Sequence, residues 1–238
     1  LSETISKIKY QKPDQLTEKI SASKVSGDSN GFSFNNASDV DYNFYKNTVE
    51  INAEIVSPIA DYAFNYYRYK LEGVFYDNLG NLINKIKVIP RRENDRVFSG
   101  FIFIVEDQWC LYGLELSVTG SQIQTPAADL VTIKQNLSYD QTADYWVIRS
   151  QTIGFEYGFL GFKGDGSFVA NYSNYELNPS FGSDVFTNEV LAFELEANKK
   201  DSLYWNRLRP VPLTSEELVD YIKKDSLQTL KKSKTYRD

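Results

Sequence analysis

The sequence predicts a mainly β protein of the α+β kind, built on one strongly curved antiparallel sheet that forms a half-barrel. A helix is expected on the concave face of this sheet, and a second helix near the C-terminus. Aromatic residues make up 15% of the 238 residues, and such side chains suit pleated strands. Between Tyr67 and Tyr175, short apolar runs alternate with turn residues and no helical period intervenes. This spacing favours an antiparallel meander over βαβ units.

The clearest hairpin is YRYKLEGVFYDNLGNLINKIKVIPRR, residues 67–92. Its first run alternates apolar and charged side chains, and Asp77 to Asn81 supply residues that tolerate a turn. The following runs, RVFSGFIFIVED and WCLYGLELSVTG, return at hairpin spacing. The first of these runs is apolar on both faces, which indicates a sheet whose two faces are both covered by other groups. Glycines from Gly154 to Gly166 are expected to let the sheet curl.

Two domains are predicted, residues 1–202 and 203–238. The first is the curved-sheet domain with a lead-in and a helix at 57–66, which Ser57 would cap and Pro58 would begin. The second begins with an extended proline segment, on which Trp205 and Leu208 are the expected anchors. A connector helix follows, because Thr214 to Glu217 fit a capping box.

Composition excludes several function classes. The net charge of -6 argues against nucleic-acid binding. There is no histidine and only one cysteine, so His-based nucleophile schemes are impossible and catalytic zinc is disfavoured. No apolar run reaches the length of about 20 residues that a transmembrane helix needs. The chain has no methionine and starts at Leu1, from which we expect an excised piece of a longer protein.

Catalysis without histidine would need a carboxylate pair, as in glycoside hydrolysis. Glu115 and Glu156 lie within apolar strands and are the best candidates, but alternation places them on a solvent face. We therefore predict no enzyme, no catalytic residue, no metal site and no cofactor. The three tryptophans, Trp109, Trp146 and Trp205, are either sugar-stacking or core residues, and the core is the more frequent place for them.

Four long runs carry a family resemblance: ASKVSGDSNGFSFNNASDVDYNFY, SPIADYAFNYYRYKLEGVFYD, NLINKIKVIPRRENDRVFSGFIFIVEDQW and YWNRLRPVPLTSEE. They resemble a Bacteroidetes family of outer-membrane proteins of unknown function. In that family a carboxypeptidase-regulatory-like domain is followed by a central region of this kind and then by a C-terminal β-barrel. The resemblance implies a periplasmic module, attached to the outer membrane through its parent protein, and it carries no known site residues.

A weaker similarity of pattern links the KVIPRR hairpin and the aromatic strand after it to the lipoprotein-carrier and RseB-type half-barrel. That fold encloses acyl chains, so the similarity implies a non-enzymatic module that binds a lipid or a lipoprotein acyl chain. The predicted ligand-binding residues are five on the concave face and three arginines at its rim: Tyr62, Phe64, Phe101, Phe103, Leu114, Arg91, Arg92 and Arg96. The alternative is a structural or protein-interaction module that positions the barrel or its partner, with the concave face filled by the chain itself.

Overall fold

The structure, a computed structural model, describes residues 2–13, 15–25, 40–141, 144–159, 162–187 and 190–210, and then 212–215, 217–219, 221–223 and 226. The predicted mainly β class is confirmed. The chain divides into two compact units: a flanking unit of residues 1–41 and 180–238, and a central unit of residues 42–179. The sequence boundary between residues 202 and 203 falls inside the flanking unit.

The described elements, in chain order, are strands β1 (Ser2–Gln11), β2 (Gln15–Val25), β3 (Thr48–Ile51), β4 (Ala53–Val56), β5 (Tyr67–Tyr76), β6 (Leu82–Pro90), β7 (Ser99–Val105), β8 (Leu111–Thr119), β9 (Ala128–Asp140), β10 (Tyr145–Phe159), β11 (Phe162–Asn171) and β12 (Leu191–Phe193), and helix α1 (Ser202–Leu208).

The central unit contains the predicted meander. Its seven strands lie in the order β11-β10-β9-β8-β7-β6-β5, and every neighbouring pair is antiparallel. The turn after β5 forms where the sequence places it. One carboxylate oxygen of Asp77 accepts the backbone N–H groups of Leu79 and Asn81, and Gly80 takes a positive φ of 84°. The sheet is open, with β5 and β11 as its two edges.

One face of this sheet, called here the inner face, is apolar and buried. Ile102 on β7 is paired with Leu114 on β8, and Leu116 is paired with Ile133 on β9, and all four side chains are buried. Residues that alternate with these, such as Phe101 and its pair Glu115, lie on the opposite or outer face.

Residues 42–66 of the same unit cover the inner face. The Phe44 ring packs against Phe98 with 5.3 Å between ring centroids, and the backbone N–H of Val56 donates to the Arg96 carbonyl. The Gln135 amide, which lies on the inner face, donates to the Tyr42 carbonyl at 2.7 Å. The hairpin β3–β4 contributes further buried side chains from Val49 to Val56. The chain therefore fills this face with its own residues.

The predicted helix at 57–66 is wrong. The segment forms successive turns with i to i−3 hydrogen bonds and a single 3₁₀ turn at Ala63–Asn65. The Ser57 hydroxyl donates to the Phe44 carbonyl at 2.6 Å, and the Asp61 N–H donates to the Asn47 side-chain oxygen at 3.0 Å. These two hydrogen bonds fix the segment in a non-helical path. Its aromatic, Asn and Asp residues also have weak helix propensity. A short turn consequently replaces the helix that we expected on the concave face.

Glycines on the edge strand β11 serve ring packing. A Cβ added to Gly164 would lie 2.4 Å from the Tyr157 ring, and one added to Gly166 would lie 2.4 Å from the Phe155 ring. Residues of these pairs face each other across β10 and β11. The two aromatic rings on β10 therefore cover positions where the edge strand has no side chain. This contact explains these two glycines, which the sequence interpretation assigned to bends.

The flanking unit combines both ends of the chain. Its sheet has the order β1-β2-β12, in which β12 pairs with β2 in parallel. Residues 203–208, predicted as extended, belong to α1, because the Asp201 carboxylate accepts the Tyr204 N–H at 2.8 Å and caps a helix there. Trp205 is buried, as expected of an anchor, whereas Leu208, the other expected anchor, is exposed.

The predicted capping box at Thr214 is confirmed. The Thr214 hydroxyl accepts the Glu217 N–H at 3.2 Å, and the Glu217 carboxylate accepts the Thr214 N–H at 2.8 Å. The helical residues that follow place Tyr221 in a buried position, where its hydroxyl donates to Glu3 on β1 at 2.7 Å. Across the described part of the chain, no helix has the length and apolar character needed to cross a membrane.

Candidate functional site

The five apolar residues predicted to line one concave surface lie in three different places. Leu114 is buried on the inner face, whereas Phe101 and Phe103 are half-buried on the outer face. Tyr62 and Phe64 lie in the turn segment, with Phe64 73% exposed. The described residues therefore do not bring these five side chains together around one cavity.

The three predicted rim arginines lie in the turn between β6 and β7. The Arg91 guanidinium donates to the carbonyls of Phe64 and Tyr67, at 2.8 and 3.0 Å, and so ties the turn segment to β5. Arg92 forms an ion pair with Asp95 at 3.7 Å, and Arg96 is exposed. Arg91 thus has a structural role. The three arginines lie at one end of the sheet, and the turns after β5, β7 and β9 lie at the other end.

Glu115 and Glu156 lie far from a catalytic arrangement. Glu115 is exposed on the outer face and pairs with Lys134 at 3.6 Å, while Glu156 is paired across β10 and β11 with Asp165. Among the described residues, no three acidic or cysteine side chains gather in a group able to hold a metal ion.

The free edge strand β5 is the first of two surfaces that merit functional interpretation. Within the described residues its one strand neighbour is β6, and its side chains after Tyr69 are exposed. A bulge between Leu71 and Gly73, together with an ion pair between Lys70 and Glu72 at 3.0 Å, occupies its first half. Its second half is uncharged and exposes large side chains: Val74, Phe75 and Tyr76.

An aromatic cleft is the second surface. Consecutive strands of an antiparallel meander reverse direction, so the turns after β5, β7 and β9 lie at the same end of the sheet. At this end seven side chains line a shallow cleft of about 420 Å³ that is open to solvent, with Tyr45 and Tyr145 both 58% exposed. The lining residues are Tyr45, Gln108, Cys110, Tyr139, Asp144, Tyr145 and Trp146.

Hydrogen bonds fix several lining residues of the cleft. The Trp146 indole N–H donates to the Gln108 side-chain carbonyl, and the Tyr139 hydroxyl donates to the Asp144 carboxylate. The Tyr45 hydroxyl accepts the backbone N–H of Leu111 at 3.0 Å. These bonds join residues from three separate segments, so the cleft is formed by the fold and not by one loop.

Three ionisable groups of the cleft, Tyr45, Cys110 and Tyr139, have raised pKa values that favour their neutral forms. The hydrogen bond to Asp144 raises the pKa of Tyr139, and burial raises the pKa of Tyr45. Burial also raises the pKa of the Cys110 thiol, whose sulfur lies 3.8 Å from the Gln108 amide oxygen. The raised pKa disfavours the thiolate, which is the nucleophilic form of a cysteine.

Sequence reasoning missed the cleft as a unit. It singled out Trp109 and Trp146 as possible stacking residues, but not the tyrosines and Asp144 that stand beside Trp146. The available signal was the meander itself, since alternate turns of a meander meet at one end. Trp205, the third tryptophan, is a core residue of the flanking unit.

The fold and these surfaces define a mainly β protein with an open antiparallel sheet and no recognisable catalytic constellation in its described part. The model of the Family of unknown function (DUF5686) matches residues 1–175, and the chain belongs to this family. No curated protein and no solved structure matches the chain. Membership of an uncharacterised family agrees with that part of the resemblance drawn from the sequence.

Proposed function

We propose that the protein is a non-enzymatic interaction module of an outer-membrane protein, located in the periplasm, that holds a polypeptide partner on its edge strand β5. The location is supported by the sequence resemblance. Of the two functions considered from the sequence, the interaction module has the stronger geometric support, because residues 42–66 already fill the inner face of the sheet.

The exposed edge of β5 is the observation that carries this proposal. An unpaired edge offers a row of backbone N–H and C=O groups to which an extended peptide can add as a further strand. Proteins usually guard such edges with charge and bulges. The first half of β5 is guarded in this way by Lys70 and the bulge at Glu72, but residues 73–76 are not. A partner strand is therefore expected along residues 73–76, in the same polypeptide or in another.

Site-specific photocrosslinking in the parent protein tests this proposal. A photoreactive residue at position 74 should give a discrete adduct with one polypeptide segment, which peptide mass spectrometry can identify. Val169 on the opposite edge strand is the matched control, since Val74 and Val169 are 55% and 52% exposed. Position 169 should give no such adduct.

A charge on the edge provides the second arm of the test. With the photoreactive residue at position 76, Val74→Lys should lower the adduct yield several-fold, because a lysine disfavours strand addition. Val169→Lys should leave the yield unchanged, and neither variant should shift the melting temperature by more than a few degrees. Equal adducts from positions 74 and 169 would overturn the proposal. Adducts with lipid alone would favour the other function, the binding of a lipid or acyl chain.

A further inference from the structure

Acidic side chains outnumber basic ones around the aromatic cleft. Among its seven lining residues, Asp144 is the one carboxylic acid, and neither Lys nor Arg lines the cleft. Glu106, Asp107 and Asp140 are acidic residues close in sequence to the lining residues, and the Glu106 carboxylate accepts from the Asn84 amide. Lys46, which follows the lining residue Tyr45, is exposed and is not part of the lining.

The other main component of the cleft is aromatic. Four of its seven lining residues are Tyr or Trp, and the Tyr139 and Trp146 rings lie with 5.8 Å between centroids at an angle of 55°. Aromatic faces attract cations through the ring quadrupole, most strongly when the cation is partly desolvated. Rings and carboxylate therefore act in the same direction on a positive group and in opposite directions on a negative one.

We propose that this cleft binds an organic cation, an alkylated ammonium group or a guanidinium group, between the Tyr and Trp rings and beside Asp144. The inference is independent of the strand addition at β5, since it concerns other residues and another kind of ligand. The hydrogen bonds of Tyr139 to Asp144 and of Trp146 to Gln108 hold the site in place before the ligand arrives. Such preorganisation lowers the entropy cost of binding.

A neutral sugar is the competing ligand, because sugars also stack on aromatic rings. A sugar needs several hydrogen-bond partners with spare capacity. Here the Gln108 carbonyl oxygen already accepts from Trp146 and Cys110, and one Asp144 oxygen already accepts from Tyr139. The charge pattern and the occupied acceptors both favour the cation.

Choline and its neutral isostere 3,3-dimethylbutan-1-ol test the proposal, since they differ essentially in charge. The readout is the indole N–H signals of the three tryptophans in nitrogen-15 NMR spectra of the whole chain. Choline should shift the Trp146 signal saturably, and should leave Trp205, buried in the flanking unit, unaffected. The isostere should bind about two- to fivefold more weakly, as expected for a cation–π contact at a solvent-exposed site.

Two variants locate the interaction. Asp144 has a positive φ of 60°, a conformation that Asn also tolerates, so Asp144→Asn removes the charge and keeps the turn. It should weaken choline binding about two- to fivefold, as expected for an exposed charge, whereas Asp165→Asn on the exposed edge of β11 should not. Trp146→Leu should weaken binding to a similar degree, with the amide spectrum showing that the variant remains folded.

Three outcomes would overturn the proposal. Equal affinity for choline and the isostere would show an apolar cleft without cation selectivity. Absence of any saturable shift with choline or with N-acetyl-arginine methylamide would show that no cation binds. A saturable shift with glucose or N-acetylglucosamine, without one for the cations, would assign the cleft to a sugar.

Discussion

Tyr67 joins three parts of the central unit through one hydroxyl group. It is fully buried, its hydroxyl donates to the Val56 carbonyl, and it accepts the Phe98 backbone N–H at 3.0 Å. Burial raises the pKa of this phenol well above its usual value, so it stays protonated. The Tyr67→Phe variant would leave a buried carbonyl and a buried N–H without a partner. We expect a loss of about 2–4 kcal/mol in the free energy of unfolding, measured by urea titration.

Tyr69 provides the matched control for Tyr67. Its hydroxyl donates to the Pro58 carbonyl at 2.7 Å, its burial is only partial, and burial raises its pKa to about 12. Tyr69→Phe removes one hydrogen bond near solvent and should cost about 1 kcal/mol. Equal losses for the two variants would contradict the role given to Tyr67.

Glu3 makes the flanking unit sensitive to acid. The Arg209 guanidinium donates to both oxygens of this carboxylate, at 2.6 Å for one pair of atoms, and Tyr221 donates to it as well. Burial alone would raise the pKa of Glu3, but the hydrogen bonds and the charges of Arg209 and Lys24 outweigh burial and lower it. A lowered folded-state pKa means stability that is present above the unfolded value near 4.5 and is lost as the pH falls through the folded value.

The flanking unit should therefore lose stability as the pH falls below about 4.5, and Glu3→Gln should remove most of that dependence. Amide exchange of β1, β2 and α1, followed between pH 6 and pH 3, measures it. The same dependence in the wild-type chain and in the Gln variant would show that other carboxylates dominate.

At the scale of elements, β7 and β8 approach each other too closely for any residue but glycine at position 100. Gly100 has a φ of 137°, and an added Cβ would lie 2.1 Å from the Glu115 carbonyl oxygen. Gly100→Ala should therefore destabilise the central unit by about 3 kcal/mol or more, through strain in the middle of the sheet.

Gly73 on the edge strand β5 is the comparison for Gly100, since an added Cβ there meets nothing within 4 Å. Gly73→Ala should change the free energy of unfolding by less than about 1 kcal/mol, in either direction. Thermal unfolding of both variants measures the difference. A mild effect at Gly100 would mean that β7 and β8 separate more easily than their register implies.

The success of sequence reasoning varied between elements for physical reasons. The strands and the Asp77 turn were predictable because alternation and turn chemistry are local. The helix at 57–66 was not, because hydrogen bonds that Ser57 and Asp61 donate to Phe44 and Asn47, ten or more residues away, decide the path of that segment. The glycines at 164 and 166 likewise depend on rings of the neighbouring strand. The cleft joins the turns after β7 and β9 with Tyr45, which lies outside the seven-stranded sheet, so the alternation of the strands does not reveal it.

At the scale of the whole molecule, the flanking unit is closed by both ends of the chain. Strand β12 adds to β2, and Arg209 and Tyr221 both bind Glu3. We predict that removal of residues 212–238 loosens the flanking unit, because Tyr221 leaves a buried position beside Glu3 and Lys24. The central unit should keep its stability to within about 0.5 kcal/mol, as its core lies in residues 42–179.

Exchange protection, resolved for each strand, tests this division. Protection in β1 and β2 should fall in the truncated chain, and protection in β7 and β8 should remain. A cooperative loss in all four strands would show that the two units unfold as one.

The discontinuous flanking unit also determines how the protein would respond to mechanical tension. Because residues 1–41 and 180–238 fold together, a pull between the two ends loads first the bonds of Arg209 and Tyr221 to Glu3, and then the pairing of β12 with β2. The central unit lies in the chain between the two parts of the flanking unit. It should therefore bear no tension until those two parts separate. In a single-molecule stretching experiment, separation of β12 from β2 should precede extension of the seven-stranded sheet.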